Sequence, residues 1–131
     1  MLVISSHRTI MVNILKEIYS DIEIASILGF KGGTALYFFY NLPRFSVDLD
    51  FDLLDESKKD IVFNKITRII EKYGELRQKK DKHYNLFWLL SYKKGLNQLK
   101  VEVSKRTTEN KYEVKNFFGI PVLIMKKEDM F

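Results

Sequence analysis

Two short segments determine how this chain is interpreted: KGGTAL at residues 31–36 and RFSVDLDFD at residues 44–52. The first places two glycines and a hydroxyl directly before a helix-like stretch. Glycine backbone lets an anion approach closely, and the N–H groups that open a helix are free to bind it. The second segment alternates acidic and apolar residues, which is the period-two pattern of a β-strand. Together they predict an anion-binding turn beside a strand with carboxylates on one face.

Asp48 and Asp50 are the candidate catalytic residues of the acidic strand, which is predicted over Ser46 to Leu54. Side chains at positions i and i+2 of a strand point to one face, so the two carboxylates can jointly bind a hard cation such as Mg²⁺ or Mn²⁺. Two-metal phosphoryl transfer uses closely placed carboxylates of this kind. Asp52 continues the same face, and for it, as for Asp55, we expect an N-capping or surface role.

Glu102 is the candidate third carboxylate for catalysis and metal binding. It lies in Leu99-Lys100-Val101-Glu102-Val103, where polar and apolar residues alternate as in a half-buried strand. The alternative is that Glu102 is a solvent-facing carboxylate of that strand.

Five residues are candidates for nucleotide binding: Gly32, Gly33, Thr34, Arg44 and Ser46. The glycines and the Thr34 hydroxyl can donate to phosphate oxygens at a helix start. An arginine can hold a phosphate by two parallel hydrogen bonds. Each has a structural alternative, because Thr34 can simply N-cap the following helix, and Arg44 and Ser46 can fix the loop onto the sheet.

The pattern of apolar residues predicts one α+β domain over residues 1–131, with a mixed, mainly antiparallel sheet flanked by helices. Helical spacing runs from Arg8 to Leu28, as one or two helices, and again from Ile61 to Tyr73. A further helix follows Thr34 and ends before Pro43. Besides the acidic strand, we expect strands at Glu75–Lys82, Tyr84–Lys93, Gln98–Lys105 and Phe117–Met125, with a turn at residues 94–97.

Composition narrows the classes of function. The formal net charge of +5 favours polyanionic partners, so a plain RNA-binding domain is one alternative interpretation. The chain has no cysteine, which excludes disulfides and thiolate metal sites. Neither a signal peptide nor an apolar run of roughly 18 residues is present, which predicts no membrane association and a cytoplasmic location.

Histidines and aromatic residues offer weaker signals. His7 and His83 lie in unrelated segments, and we expect both to be surface or half-buried residues. An aromatic cluster can form either a stacking platform for a base or part of the core; it comprises Tyr84, Phe87, Trp88 and Tyr92.

The chain resembles the AbiEii-like (abortive-infection type) nucleotidyltransferase toxins, a branch of the DNA polymerase β-like nucleotidyltransferase superfamily. The resemblance covers about Ile24 to Phe131 and rests mainly on residues 31–36 and 42–51, and more loosely on residues 99–104 and 122–125. It implies metal-dependent transfer of a nucleoside monophosphate from an NTP to an RNA or protein acceptor. It also implies a toxin of a bacterial toxin–antitoxin or phage-defence pair, with a cognate antitoxin as partner.

The resemblance assigns roles by position. Gly33 and Thr34 match the phosphate-contacting motif, Asp48 and Asp50 match the metal-binding carboxylates, and the Arg-x-Ser lead-in is present at residues 44–46. Family members continue into a helix with an Ala-x-Lys…Arg motif that supplies a catalytic lysine, and no such motif stands before Phe131. We therefore expect this chain to be the N-terminal nucleotidyltransferase core of a longer family member, truncated at its C-terminus. The alternative is a non-catalytic module that binds a nucleotide or a partner.

Overall fold

The structure of the chain, a computed structural model, describes residues 3–93, 97–106 and 109–130. Helices and strands alternate irregularly along these residues. In chain order they are α1 (Ile4–Ser20), β1 (Leu28–Lys31), α2 (Gly32–Phe39), β2 (Leu49–Leu53), a 3-10 helix (Glu56–Lys58), α3 (Lys59–Glu71), β3 (Glu75–Asp81), β4 (Asn85–Tyr92), β5 (Asn97–Ser104), β6 (Tyr112–Phe117), β7 (Ile120–Met125) and α4 (Lys127–Met130).

The strands form one seven-stranded sheet in the order β3-β4-β5-β2-β1-β7-β6. It is a mixed sheet, and the prediction of a mainly antiparallel one is wrong, because β2 runs parallel to β5 and β1 runs parallel to β7. The remaining neighbours are antiparallel. Alternation of residues shows which face of a strand is buried but not the direction of its neighbour, so the parallel pairs were not visible in the sequence.

Several predicted elements are confirmed. The three strands expected between residues 75 and 105 are β3, β4 and β5, and the helix expected at Ile61 to Tyr73 is α3. Of the turn expected at residues 94–97, residues 94–96 lie outside the described part of the chain.

The prediction for the end of the chain needs a correction. A single interrupted strand was expected at Phe117–Met125, but the structure has a hairpin of β6 and β7 joined by Phe118 and Gly119. These two residues have φ of 51° and 83°. Positive φ at both central residues is the pattern of a type I′ turn, which matches the twist of the two strands.

Helix α1 is also shorter than the apolar spacing suggested. It ends at Ser20, and Ile22 beyond it is 92% exposed. The Asp21 side chain accepts a hydrogen bond from the Glu23 N–H and pairs with Lys65, which holds the chain in a turn instead of a further helical turn.

Buried apolar side chains form one continuous core cluster. The inner face of α1 contributes Met11, Ile14, Leu15 and Ile18, and alternate residues of β1, β2, β4 and β5 contribute the sheet side. Helix α2 packs on β1 and β2, and α1 packs on β7 and α3. Among the described residues, no helix is long and apolar enough to cross a membrane.

Candidate active site

The turn between β1 and α2 is the first part of the site. Helix α2 begins at Gly32, directly after the last residue of β1. Gly32 has φ of 89°, and a Cβ at this position would lie 3.0 Å from Asp50 Oδ2. The backbone conformation therefore favours glycine here, and a Cβ would also press against the Asp50 carboxylate. The free N–H groups of this helix start open next to Asp50.

Gly33 and Thr34 connect the start of α2 to the segment before β2. A Cβ on Gly33 would collide with the Ser46 hydroxyl. The Thr34 side chain is 1% exposed, and its hydroxyl donates to the Asp48 carbonyl. Thr34 is not the N-cap of α2, since Lys31 occupies that position. The Thr34 hydroxyl instead fixes the backbone of Asp48 through this hydrogen bond.

The carboxylates come together through the parallel pairing of β2 with β5. Asp50 and Glu102 are direct partners in that pairing. Asp48 lies just before β2, and all three residues are partly exposed. The Asn85 amide donates to Glu102 Oε2 at 2.7 Å and fixes the third carboxylate from the neighbouring strand β4. The structure thus places Asp50 and Glu102 side by side on neighbouring strands, with Asp48 two residues before Asp50.

Electrostatics marks Asp50 as the centre of the site. Burial, followed by the charges of Asp48 and Glu102, raises the pKa of Asp50 to about 6, while Lys31 acts in the opposite direction. Burial also raises the pKa of Asp48, where the cation of Lys100 opposes it. Repelling carboxylates in a partly desolvated site favour any ligand that brings positive charge.

The carboxylate oxygens of the site can supply part of the coordination shell of a divalent cation such as Mg²⁺. Among the described residues, no three His, Cys, Asp or Glu side chains are gathered closely enough to hold a metal ion by themselves. Magnesium usually binds to one or two carboxylates, and substrate phosphates and water complete its shell. The pair Asp48 and Asp50 suits that mode, with the excess negative charge at Asp50 as the supporting observation.

Two cavities meet at Asp50. The first, which we call the loop cavity, has a volume of about 340 Å³ and is lined by Gly33, Thr34, Arg44, Phe45, Ser46, Val47, Asp48 and Asp50. The second, the strand cavity, has a volume of about 350 Å³ and is lined by Lys31, Asp50, Phe51, Tyr84, Asn85, Glu102, Ser104 and Arg106. Four of the five predicted nucleotide-binding residues line the loop cavity, and the fifth, Gly32, lies against the Asp50 side chain.

Asp52 does not have the surface or capping role predicted for it. Its side chain is 1% exposed, lies 2.6 Å from the Lys31 ammonium and accepts a hydrogen bond from the Tyr112 hydroxyl. Lys31 belongs to β1 and Tyr112 to β6, so this cluster depends on the strand order and is invisible in the local sequence. Asp55, in contrast, caps the 3-10 helix through the Ser57 N–H, as expected.

His7 is a second residue whose surroundings were predicted wrongly. It is fully buried, with Nε2 at 2.8 Å from the Val47 carbonyl and Nδ1 against the Tyr92 hydroxyl. His83 is exposed, as predicted. Of the aromatic cluster, Trp88 and Tyr92 belong to the core, whereas Tyr84 is 56% exposed at the rim of the strand cavity.

Known structures define the class of this fold. The chain is similar to JHP933 from Helicobacter pylori, with 27% identity and a TM-score of 0.67 over 97% of this chain and 53% of that protein. A candidate nucleotidyltransferase from H. pylori is also 27% identical, with a TM-score of 0.66 over 96% of this chain and 55% of that one. The candidate nucleotidyltransferase TM1012 from Thermotoga maritima shares the fold at 15% identity, with a TM-score of 0.55 over 94% of this chain and 81% of that one.

The family follows from the sequence. Residues 13–121 match the model described as the nucleotidyl transferase AbiEii toxin of type IV toxin–antitoxin systems. The chain belongs to this family, which confirms the resemblance drawn from residues 31–36 and 42–51. It spans about half the length of the two H. pylori proteins. No curated protein matches it at a significant level.

Proposed function

We propose that this domain carries the nucleotidyltransferase site of a toxin, which transfers a nucleoside monophosphate from an NTP to an acceptor. The observation that carries the proposal is the placement of Asp50 between Glu102 and the glycine-rich start of α2, with Asp48 two residues before it. Membership of the AbiEii family and the likeness to candidate nucleotidyltransferases support it.

The donor nucleotide is proposed to bind in the loop cavity. Its triphosphate lies against the Gly33 N–H, with Ser46 and the Arg44 guanidinium as further donors. Gly32 lies next to this cavity, against the Asp50 side chain. Thr34 contributes by holding the Asp48 backbone. This arrangement fixes the α-phosphate next to the carboxylates, and orientation of this kind is a large part of catalysis in phosphoryl transfer.

Asp48, Asp50 and Glu102 are proposed to bind Mg²⁺ or Mn²⁺ together with the phosphates. A bound divalent cation would neutralise the charge that develops on the phosphate oxygens and on the leaving pyrophosphate. The protein's own part is to hold the carboxylates together, with Asn85 fixing Glu102 and the β2–β5 pairing fixing Asp50.

The acceptor, an RNA or a protein, is proposed to enter from the strand cavity. That cavity is lined by Asp50 and Glu102 but by none of the proposed phosphate-binding residues, so it leaves room for an acceptor next to the carboxylates. Because NTPs are cytoplasmic, the proposed activity belongs to that compartment. A cognate antitoxin is the proposed partner, on the basis of the family.

A second candidate function is a module that binds a nucleotide or a partner without transferring anything. It is favoured by the lack, within the described residues, of three side chains placed to hold a metal ion by themselves. Calorimetric titration of the chain with Mg²⁺ and each NTP separates the two functions, since binding without turnover supports the module and turnover by the chain contradicts it.

The proposed function is tested by incubating the chain with labelled NTPs, Mg²⁺ and either total RNA or total protein. Transfer of label to an acceptor is expected, and Asp48→Ala or Asp50→Ala should abolish it. Asp55→Ala is the matched control, because this aspartate caps the 3-10 helix outside both cavities. Labelling that survives both Asp48→Ala and Asp50→Ala would show that the assignment is wrong.

A further inference from the structure

The segment between α2 and β2 carries candidate site residues without regular secondary structure. Residues 41–48 contain Arg44, Ser46 and Asp48 and make no strand pairing. Backbone without helix or sheet partners needs other hydrogen bonds to stay in one conformation. Two buried side chains supply them, since Thr34 donates to the Asp48 carbonyl and His7 bonds to the Val47 carbonyl.

The His7 contacts define the tautomer of the ring. A carbonyl oxygen only accepts hydrogen bonds, so Nε2, at 2.8 Å from the Val47 oxygen, carries the proton. In a neutral imidazole, Nδ1 then accepts from the Tyr92 hydroxyl, which lies against it. The resulting chain of hydrogen bonds runs from Tyr92 through His7 to the Val47 carbonyl. We call it the His7 bridge.

The bridge joins three elements, namely α1, β4 and the segment before β2. His7 belongs to α1, and Tyr92 is the last residue of β4, the strand that pairs with β5. Strand β4 also fixes Glu102 through Asn85. The Val47 carbonyl belongs to the residue before Asp48. One end of the bridge is therefore tied to the strands that hold Glu102, and the other end to the backbone that holds Asp48.

Burial makes the bridge specific. His7 is 0% and Tyr92 is 3% exposed, so water cannot replace a lost partner. The remainder of α1 is held by apolar side chains that do not depend on His7, namely Met11, Ile14, Leu15 and Ile18. Loss of the bridge should therefore release the segment before β2 and leave the helix packed.

From these contacts we propose that His7 is a positioning residue, which holds Asp48 at the distance from Glu102 that the site requires, with Tyr92 fixing the orientation of the ring. The inference rests on the proposed function. It adds a residue from α1, far from both sequence motifs, to the groups that shape the site.

The test compares His7→Phe with His7→Gln and with the wild-type chain. Phenylalanine keeps a ring but cannot donate, whereas the glutamine amide can still donate to Val47. Amide hydrogen exchange at residues 45–48 should become about tenfold faster in His7→Phe, with little change in α1 and the sheet. The affinity for Mn²⁺ alone, measured by electron paramagnetic resonance, should fall about tenfold, with His7→Gln between the two.

A matched pair of tyrosine variants keeps the test decisive if His7→Phe does not fold. Tyr92→Phe removes the hydroxyl that orients His7. Tyr19→Phe removes an equally buried hydroxyl on α1, which donates to the Leu28 carbonyl at 2.7 Å. Only Tyr92→Phe should speed exchange at residues 45–48 and weaken Mn²⁺ binding. Nitrogen chemical shifts of His7 should show a proton on Nε2 in the wild type and a mixture of tautomers in Tyr92→Phe.

Two outcomes overturn the inference. Unchanged exchange at residues 45–48 in the bridge variants would show that the bridge does not hold this segment. Mn²⁺ binding that depends on Asp48 but is equally strong without the bridge would contradict the inference alone. A wild-type chain that binds neither Mn²⁺ nor NTP would contradict the proposed function, and the inference with it.

Discussion

Asp50 and Asp52 lie two residues apart on β2, yet their carboxylates have opposite surroundings. Asp52 is almost fully buried, pairs with Lys31 and accepts from Tyr112. Asp50 is partly exposed and faces Asp48 and Glu102, and its pKa is raised to about 6. The Asp52 carboxylate has its partners within the protein, whereas too little positive charge surrounds the Asp50 carboxylate. The comparison shows how one strand can carry an ion-paired, buried aspartate and, two residues before it, the aspartate that is proposed to bind a ligand.

The largest expected effect is on catalysis. In a nucleotidyl-transfer assay, Asp50→Asn should lower the rate by a factor on the order of 10² to 10³, because a neutral amide holds the divalent cation at the phosphates much more weakly than a carboxylate does. Asp52→Asn should retain much more activity per folded molecule. Both variants are first shown to be folded by circular dichroism. Equal losses of transfer rate in the two variants would then show that the two aspartates do not differ in function.

The next effect concerns stability. Asp52→Asn should lower the free energy of unfolding by about 2–3 kcal/mol, because it removes one partner of a buried ion pair while Lys31, which is partly exposed, regains some contact with water. Urea denaturation at neutral pH measures this change. Asp55→Asn, at an exposed cap, is the control and should change stability little, because the asparagine oxygen can still accept from the Ser57 N–H. A loss no larger than that of the control would mean that Asp52 is not a structural residue.

Asp50→Asn should change stability in the opposite direction. The folded-state pKa of Asp50 is about 6, above its ordinary value of 3.8, so between these pH values the folded chain holds a proton that the unfolded chain has released. Stability contributed by this group therefore falls as the pH rises from 4 to 6. At pH 8, without metal ions, the Asp50→Asn variant should therefore be more stable than the wild type, with a free energy of unfolding about 1–2 kcal/mol higher.

Urea denaturation at pH 4 and pH 8 in a chelator provides the measurement for that prediction. The increase in the free energy of unfolding caused by Asp50→Asn should be near zero at pH 4 and fully present at pH 8. A variant that is less stable than the wild type at pH 8 would mean that the Asp50 carboxylate is satisfied in the folded chain.

The smallest effect concerns the tyrosine that covers Asp52. Tyr112→Phe removes the hydroxyl that donates to Asp52 and should cost about 1 kcal/mol of unfolding free energy. In a double-mutant cycle with Asp52→Asn, the two losses should not add, because both act on one hydrogen bond. Additive losses would show that Tyr112 and Asp52 stabilise the fold independently.

Much of the candidate site could be read from the sequence because its chemistry is local. Gly32 and Gly33, and the pair Asp48 and Asp50, lie in short segments whose spacing already states which side chains share a face. The same alternation in β5 made Glu102 a candidate, and the structure pairs it with Asp50. The helices and the strands from residue 75 to residue 105 followed from apolar periodicity.

The remainder depends on tertiary pairing. Asp52 carries the same sequence signal as Asp50, and only the position of Lys31 and Tyr112 across the sheet separates their roles. A buried His7 was equally hidden, because its partners Val47 and Tyr92 are brought to it by the packing of α1. The parallel pairings of the sheet were missed for the same reason, since strand direction is set by long-range connections.

The parallel pairing of β2 with β5 has a consequence for the time at which the site comes into existence. Asp50 and Glu102 become neighbours only after α3, β3 and β4 have been synthesised and β5 has docked on β2. Contacts between such distant segments form late, because the long intervening chain must be ordered first. A chain still on the ribosome therefore lacks the third carboxylate until most of this domain has emerged. Under the proposed function, the site can act only once β5 has docked on β2.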